Sequence, residues 1–136
     1  MKITREDQQL IDHATQLITK HYCYGKHHVA CAVRTKSGNI YGGLHLKAKV
    51  GPATVCAEPT AMSAAFTDGQ EIITTIVAVK HPNPDDTYSK PKVISPCGVC
   101  RELIADYNTD TLVIYPHDSH IEKCPISQLL PHKFSS

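Results

Sequence analysis

A three-layer α/β/α sandwich with a mixed central sheet is the fold class this sequence predicts, on three observations. Amphipathic and apolar segments succeed one another in the order α-β-β-α-β-α-β-α. One segment, Ile72-Ile73-Thr74-Thr75-Ile76-Val77-Ala78-Val79, is β-branched and nearly all apolar, as a strand buried on both faces requires. The two strand-like runs before it are joined by Lys36-Ser37-Gly38-Asn39, a hairpin turn signal, so part of the sheet is antiparallel.

Thr4-Arg5-Glu6-Asp7 has the form of a helix start, with Thr4 as cap and acids in the first turn. Leu10, Ile11, Ala14, Leu17 and Ile18 follow at helical spacing, so one amphipathic helix is expected over 4–21. Strands are expected over 28–35 and 40–46. The loop Gly51-Pro52-Ala53-Thr54-Val55 leads to a helix over 56–67 that Asp68-Gly69 ends. After the buried strand over 72–79, residues 81–95 are proline-rich and polar and are expected to form a loop. A helix over 97–107, a strand over 112–115 and a short helix near 126–130 complete the chain. No repeat or linker divides it, so residues 1–136 are expected to form a single domain.

Charge and cysteine usage narrow the function. The chain is near neutral, with a net charge of +1 and both signs interspersed. Lys47 and Lys49 are the nearest approach to a basic patch, which argues against a nucleic-acid polymer as partner and for a small molecule. No run approaches the roughly 20 apolar residues of a membrane span. The N-terminus is polar with no signal region behind it, so a cytoplasmic protein with no membrane partner is expected. Six cysteines, Cys23, Cys31, Cys56, Cys97, Cys100 and Cys124, sit in a chain of ordinary apolar content, where reduced thiols are expected rather than staples. Cys31, inside Val29-Ala30-Cys31-Ala32-Val33, is expected as a small buried hydrophobe.

Three of those cysteines carry the chemistry. Cys56-Ala57-Glu58 and Pro96-Cys97-Gly98-Val99-Cys100 offer three soft thiolates, which suit Zn²⁺ and leave one tetrahedral position open. Cys56 and Cys97 fall at predicted helix starts, where the dipole favours the thiolate, and Gly98 permits a turn that aims backbone N–H groups at the sulfurs. Glu58 lies within reach of the open position and can move protons there. Ligand-x-Glu followed by Pro-Cys-x-x-Cys is the pattern of zinc-dependent nucleobase deaminases.

Other readings of the same residues stay open. A closed structural zinc clip would need a fourth ligand, for which Cys31, Cys124, His45, His81 or the pair His117 and His120 are candidates. Redox chemistry at Cys97 and Cys100 would leave Cys56 and Glu58 unexplained. Glu58 could also be an ordinary first-turn acid, worth a few tenths of a kcal/mol at the helix dipole.

Val55-Cys56-Ala57-Glu58-Pro59-Thr60-Ala61 resembles the first zinc motif of the cytidine deaminase superfamily. Ser95-Pro96-Cys97-Gly98-Val99-Cys100-Arg101-Glu102 resembles its second, and Leu129-Leu130-Pro131-His132-Lys133-Phe134 its tail. The chain is similar to the small free-nucleoside and blasticidin-S-deaminase-like branch. The resemblance implies a cytidine-deaminase-like fold and hydrolytic exchange of an amine on a ring carbon for a carbonyl. It implies Zn²⁺ on Cys56, Cys97 and Cys100, with Glu58 as proton shuttle. It also implies a homotetramer, Phe134 reaching a neighbouring site, and substrate contacts from His27, His45, Lys47, Ala57 and Phe134.

Departures from the family pattern bear on the substrate. His45 and Lys47 stand where the family usually places an Asn-x-Glu pair for ribose hydroxyls, and an ammonium in place of a carboxylate reverses the preferred partner. Lys47 would then suit a carboxylate, phosphate or carbonyl; a lysine that points to solvent is the other reading. Pro59 replaces a frequent arginine, and zinc with three thiolates carries a formal charge of about −1, so other donors must compensate. Arg101 and the two helix N-termini are the candidates. His27 stands where relatives carry an aromatic against the base, although a solvated turn would also hold it. A small cytosine-like amino-heterocycle is therefore the expected substrate, with cytidine itself as the rival.

Overall fold

The computed structural model describes residues 1–136. Helix α1 spans Arg5–His21, and its start is a capping box: Thr4 Oγ1 accepts the Asp7 N–H while the Asp7 carboxylate accepts the Thr4 N–H. Strands β1 (Val29–Thr35) and β2 (Ile40–Leu44) form the expected hairpin, and Gly38 takes the positive φ of 93° that its turn needs. Helix α2 (Ala57–Thr67) ends at Asp68-Gly69, with Gly69 at φ 87°. Strand β3 is Ile73–Lys80 and helix α3 is Gly98–Tyr107.

Two strands were not expected from the sequence. Lys92–Ile94, inside the segment read as a loop, is a short strand β4, and His120–Pro125 is β6, paired antiparallel with β5 (Leu112–His117). The last predicted helix is a 3₁₀ turn, Ile126–Leu129.

The mixed sheet runs β2-β1-β3-β5-β6. Strand β3 is antiparallel to β1 along its length, and its other edge is shared. β5 runs parallel to it at Thr75 and Ile76, while β4 pairs antiparallel with Ala78, Val79 and Lys80. Because β4 runs antiparallel to the C-terminal part of that edge, it leaves the sheet at Ile94, opposite Ala78, and delivers Ser95-Pro96-Cys97 toward the middle of the central strand.

Alternation sorts side chains onto two cores. Ala30, Ala32, Val77, Val79 and Ile114 pack against Leu10, Ala14 and Ile18 of α1. On the opposite face Cys31, Val33, Ile76 and Val113 meet Ala61, Met62 and Ala65 of α2 and Ile104 of α3. The result is the α/β/α sandwich the patterning predicts, each fully buried Leu or Ile contributing roughly 1.5–3 kcal/mol. Two glycines of β2 let helices approach closely. A Cβ on Gly42 would lie 2.7 Å from Leu17, and one on Gly43 would lie 2.3 Å from the backbone N of Ala61. Strand β2 thus seats α2, the helix that carries Glu58.

Candidate active site

Cys56 and Cys97 are the N-cap residues of α2 and α3, both with extended backbone, and Cys100 lies in the first turn of α3. The two helices share one face of the sheet, and their N-termini converge. The Sγ atoms of Cys56, Cys97 and Cys100 lie within 4.8 Å of one another, and Cys56 and Cys97 are 3.8 Å apart. A tetrahedral zinc with Zn–S bonds of about 2.3 Å has sulfur–sulfur edges of about 3.8 Å, so the trio fits the metal. No fourth His, Cys, Asp or Glu ligand atom joins them at that range, which speaks against a closed structural clip.

Local contacts fix where α2 begins. Leu46 and Val55 exchange backbone hydrogen bonds of 2.8 and 3.0 Å, closing the loop before Cys56. Thr60 Oγ1 lies 2.9 Å from the Leu44 carbonyl oxygen and 2.7 Å from that of Ala57, tying the first turn of α2 to the end of β2. With Gly43 beneath, the helix start has little freedom.

Without a cation, burial and the nearness of like groups oppose ionisation at most of these positions. Burial pushes the Cys100 thiol well above the usual thiol range, and the neighbouring Glu58 adds to this. Burial also raises Cys56, as do the thiol and charge of Cys97. Glu58, 5% exposed, is raised by burial, partly offset by its own backbone N–H and the Cys100 thiol. Cys97 moves the other way: burial opposes its thiolate, but the Cys100 N–H, the Cys100 and Cys56 thiols and the Val99 N–H outweigh it. Backbone donors at the start of α3 therefore favour the thiolate form of that sulfur. A divalent cation would relieve the crowding at the other two.

Arg101, a candidate for charge compensation, has its guanidinium engaged around the segment that leads into Cys97. Its Nε donates to the Pro96 carbonyl (2.8 Å), its Nη1 to the Leu129 carbonyl (2.9 Å) and its Nη2 to Ser95 Oγ (2.9 Å). The guanidinium braces the segment leading into Cys97 against the C-terminal 3₁₀ turn.

Beside the sulfurs opens a cleft of about 110 Å³, partly in contact with solvent. Cys56, Ala57, Glu58 and Cys97 form its chemical end, Val29 and Ile94 its apolar walls, and His45 and Ser95 its polar ones. The Cys56 cap accepts no hydrogen bond through its side chain, so the Ala57 N–H at the start of α2 is left without a capping side chain. His45 is half-buried, and its Nδ1 lies 3.2 Å from the His28 backbone N.

The remaining expected contacts lie outside the cleft lining. His27 is half-buried, with Nδ1 2.8 Å from the His45 carbonyl, so it buttresses the histidine that does line the cleft. Lys47 is exposed, and its backbone N–H binds Lys26. Phe134 is 73% exposed beside Lys133, which pairs with Glu102 and Asp106 of α3. Sequence reasoning did not single out Val29, Ile94 or Ser95. The adjacency of Ser95 to Pro96-Cys97 was the available signal, but the strand that aims it was hidden.

Comparison with known proteins agrees with this geometry. Residues 4–116 match the zinc-binding region of cytidine and deoxycytidylate deaminases. Blasticidin-S deaminase of Bacillus cereus is 43% identical over 133 residues, 98% of this chain and 95% of that protein. A cytidine deaminase of Sporosarcina psychrophila is 32% identical over 114 residues, 82% of this chain and 78% of its own. The crystal structure of the Bacillus anthracis cytidine deaminase superposes with a TM-score of 0.79 at 26% identity, covering 96% of this chain and 90% of that one. With three sulfurs placed for zinc and the motifs on both converging helices shared along most of its length, this chain belongs to the cytidine and deoxycytidylate deaminase family and is a zinc-dependent deaminase.

Proposed function

We propose that this enzyme removes the exocyclic amine of a small cytosine-like heterocycle, in the manner of a blasticidin-S deaminase, with release of ammonia. The observation that carries the reading is the three-sulfur cluster beside buried Glu58, at the end of a small cleft open to solvent. In this reading Cys56, Cys97 and Cys100 hold Zn²⁺. Held there, zinc supplies Lewis acidity that generates a nucleophile at neutral pH. Glu58, whose burial raises its proton affinity, carries one proton of the hydrolytic water to the ring nitrogen and the second to the departing amine. The free N–H of Ala57 binds a ring carbonyl, and His45 contacts the group attached to the ring. Val29 and Ile94 sandwich the ring and exclude water.

Specificity for a modified or acidic nucleoside over plain cytidine is supported by the 43% identity to the Bacillus cereus enzyme and by His45 in the cleft wall. Deamination of cytidine or deoxycytidine is the second reading, favoured by the similarity to cytidine deaminases. Ammonia release by the purified zinc-loaded protein from blasticidin S, cytidine and deoxycytidine separates the two. The expected result is a kcat/KM at least tenfold higher for blasticidin S; turnover of cytidine as the better substrate would overturn it.

The enzyme is further proposed to act as one domain in the cytoplasm, on a free small molecule and not on a polymer or at a membrane. Six free thiols, of which Cys23 and Cys97 are exposed, suit a reducing compartment, and no helix is long and apolar enough to cross a membrane. A homotetramer is proposed because Val99, Tyr107 and Phe134 leave apolar surface exposed along α3 and the tail. Lys47 and His27 would then act at the rim of the cleft, and Phe134 at a neighbour's. Light scattering giving four copies per particle is the expected result, and a monomer at micromolar concentration would refute it.

A further inference from the structure

Ser95 carries an unassigned binding group. It follows β4 directly, lines the cleft and precedes Cys97 by two residues. Its Oγ accepts one hydrogen bond, from Arg101 Nη2 at 2.9 Å. A guanidinium is donor-only, so the serine cannot return its proton to that partner. No other protein group hydrogen-bonds to this hydroxyl. The Ser95 O–H is thus a donor without an acceptor on a cleft wall. Its oxygen is held still by an arginine that is itself fixed through the Pro96 and Leu129 carbonyls.

We infer that Ser95 donates its hydroxyl proton to an acceptor atom of the bound substrate, and that Arg101 is the positioning residue that fixes this donor. The inference rests on the cleft being the substrate site. Polarisation by the guanidinium strengthens the donor, because hydrogen bonds in a chain reinforce one another. The His28 N–H at His45 Nδ1 favours the tautomer whose proton sits on Nε2, so His45 adds a second donor to the same small cleft. Two fixed donors select a ligand that presents carbonyl, carboxylate or ether oxygens. A ligand that offers N–H groups at those places is rejected, since facing donors leave each other unpaired.

The test uses the zinc-loaded enzyme and two readouts, kcat/KM for ammonia release and calorimetric binding of uridine as a product nucleoside. Ser95→Ala is expected to retain zinc, raise KM and weaken uridine binding by about tenfold, while Ser95→Thr, which keeps the hydroxyl, stays within a few-fold of wild type. Arg101→Lys is expected to raise KM in the wild-type background and to add little in the Ser95→Ala background, because it acts through the serine. Ser95→Ala with unchanged KM and uridine binding overturns the donor, and loss of zinc in that variant overturns it in favour of a structural role. Penalties of Arg101→Lys and Ser95→Ala that simply add overturn the positioning role. Uridine binding reads Ser95 without turnover. A wild type that binds uridine but releases no ammonia would therefore refute the proposed reaction while leaving Ser95 decided by its own measurement.

Discussion

The backbone N of His28 lies 3.2 Å from Nδ1 of His45, across the mouth of the β1–β2 hairpin. An imidazole nitrogen that accepts must be unprotonated, so this bond selects the neutral ring. Burial lowers the His45 pKa below its ordinary 6.5, and His28, His27 and Lys47 lower it further. Protonation would break the bond and add charge to a group already beside other cations.

A pH dependence follows with a definite sign. The folded-state pKa is depressed, so the His45 contribution to stability is complete above 6.5 and lost as pH falls through the folded value. kcat/KM should carry an acid limb at or below that pH that is absent in His45→Gln. His45→Ala should lower kcat/KM by about tenfold with zinc retained. A pH profile for His45→Gln that keeps the same limb would assign it elsewhere.

The contrast between His45 and Lys47 shows how far the sequence could be read. Strong periodicity and strong motifs were legible: α1 from Leu10, Ala14 and Ile18, β3 from its β-branched run, and the metal trio from its spacing. Which of two neighbouring polar residues faces the cleft was not, because the chain leaves β2 at Leu44 and alternation no longer applies. Lys92–Ile94 was invisible for a different reason. Three residues after Pro91 have no period of their own and become a strand only because the edge of β3 beyond β5 is free. Strand β6 was masked by charge, since Glu122 and Lys123 lie on opposite faces of a sheet margin rather than in solvent. The role of Arg101 depended on the 3₁₀ turn at Leu129, 28 residues away, and no local pattern encodes that contact.

Zinc uptake should be coupled to proton release. Burial raises Cys56 and Cys100, so both are thiols in the metal-free protein at neutral pH. A zinc ligand must be the thiolate, and binding therefore expels about two protons or more. Calorimetry in buffers of differing ionisation enthalpy reads this number directly. Release of fewer than one proton at pH 7 would contradict the raised thiols.

Glu58 trades stability for chemistry. Its folded pKa is raised by burial, so in the metal-free protein ionisation opposes folding, and stability falls as pH rises through the carboxyl range. Glu58→Gln removes that penalty while keeping the shape. It should raise the melting temperature of the metal-free protein and lower kcat by about 10²–10⁴-fold. Unchanged zinc content by elemental analysis would show that the loss is chemical. A variant that keeps wild-type kcat would remove Glu58 from the mechanism.

Gly43 couples the sheet to the site. A methyl group there would sit 2.3 Å from the Ala61 backbone N and from Thr60 Oγ1, and 2.7 Å from the Thr60 carbonyl carbon. Backbone cannot yield as a side-chain tip can, so α2 must move outward, carrying Cys56 and Glu58 with it. Gly43→Ala should cost about 1–3 kcal/mol by overpacking and weaken zinc binding in parallel. Gly51→Ala, with nothing within 4 Å, is the control expected to change neither. Thermal melts and competitive zinc titration of the two variants provide the comparison.

Far from the cleft, Lys123 of β6 donates to Asp7 of α1 at 2.6 Å, with the two side chains 11% and 6% exposed. Asp7 also accepts the Thr4 N–H at the helix start, so one carboxylate fastens α1 to the sheet margin and caps the helix. Burial works to raise the Asp7 pKa, but Lys123, Thr4 and their hydrogen bonds outweigh it and hold the carboxyl below its usual 3.8. A depressed carboxyl contributes stability above the unfolded value and loses it as pH falls through the folded one, so this link weakens only in strong acid. Asp7→Asn strands a nearly buried ammonium and should cost about 3 kcal/mol at pH 7, whereas Asp7→Asn combined with Lys123→Met should recover most of it. Denaturant unfolding of the single and double variants measures both quantities. A double variant no more stable than the single would show that the capping bond of Asp7, and not the stranded ammonium, dominates the loss.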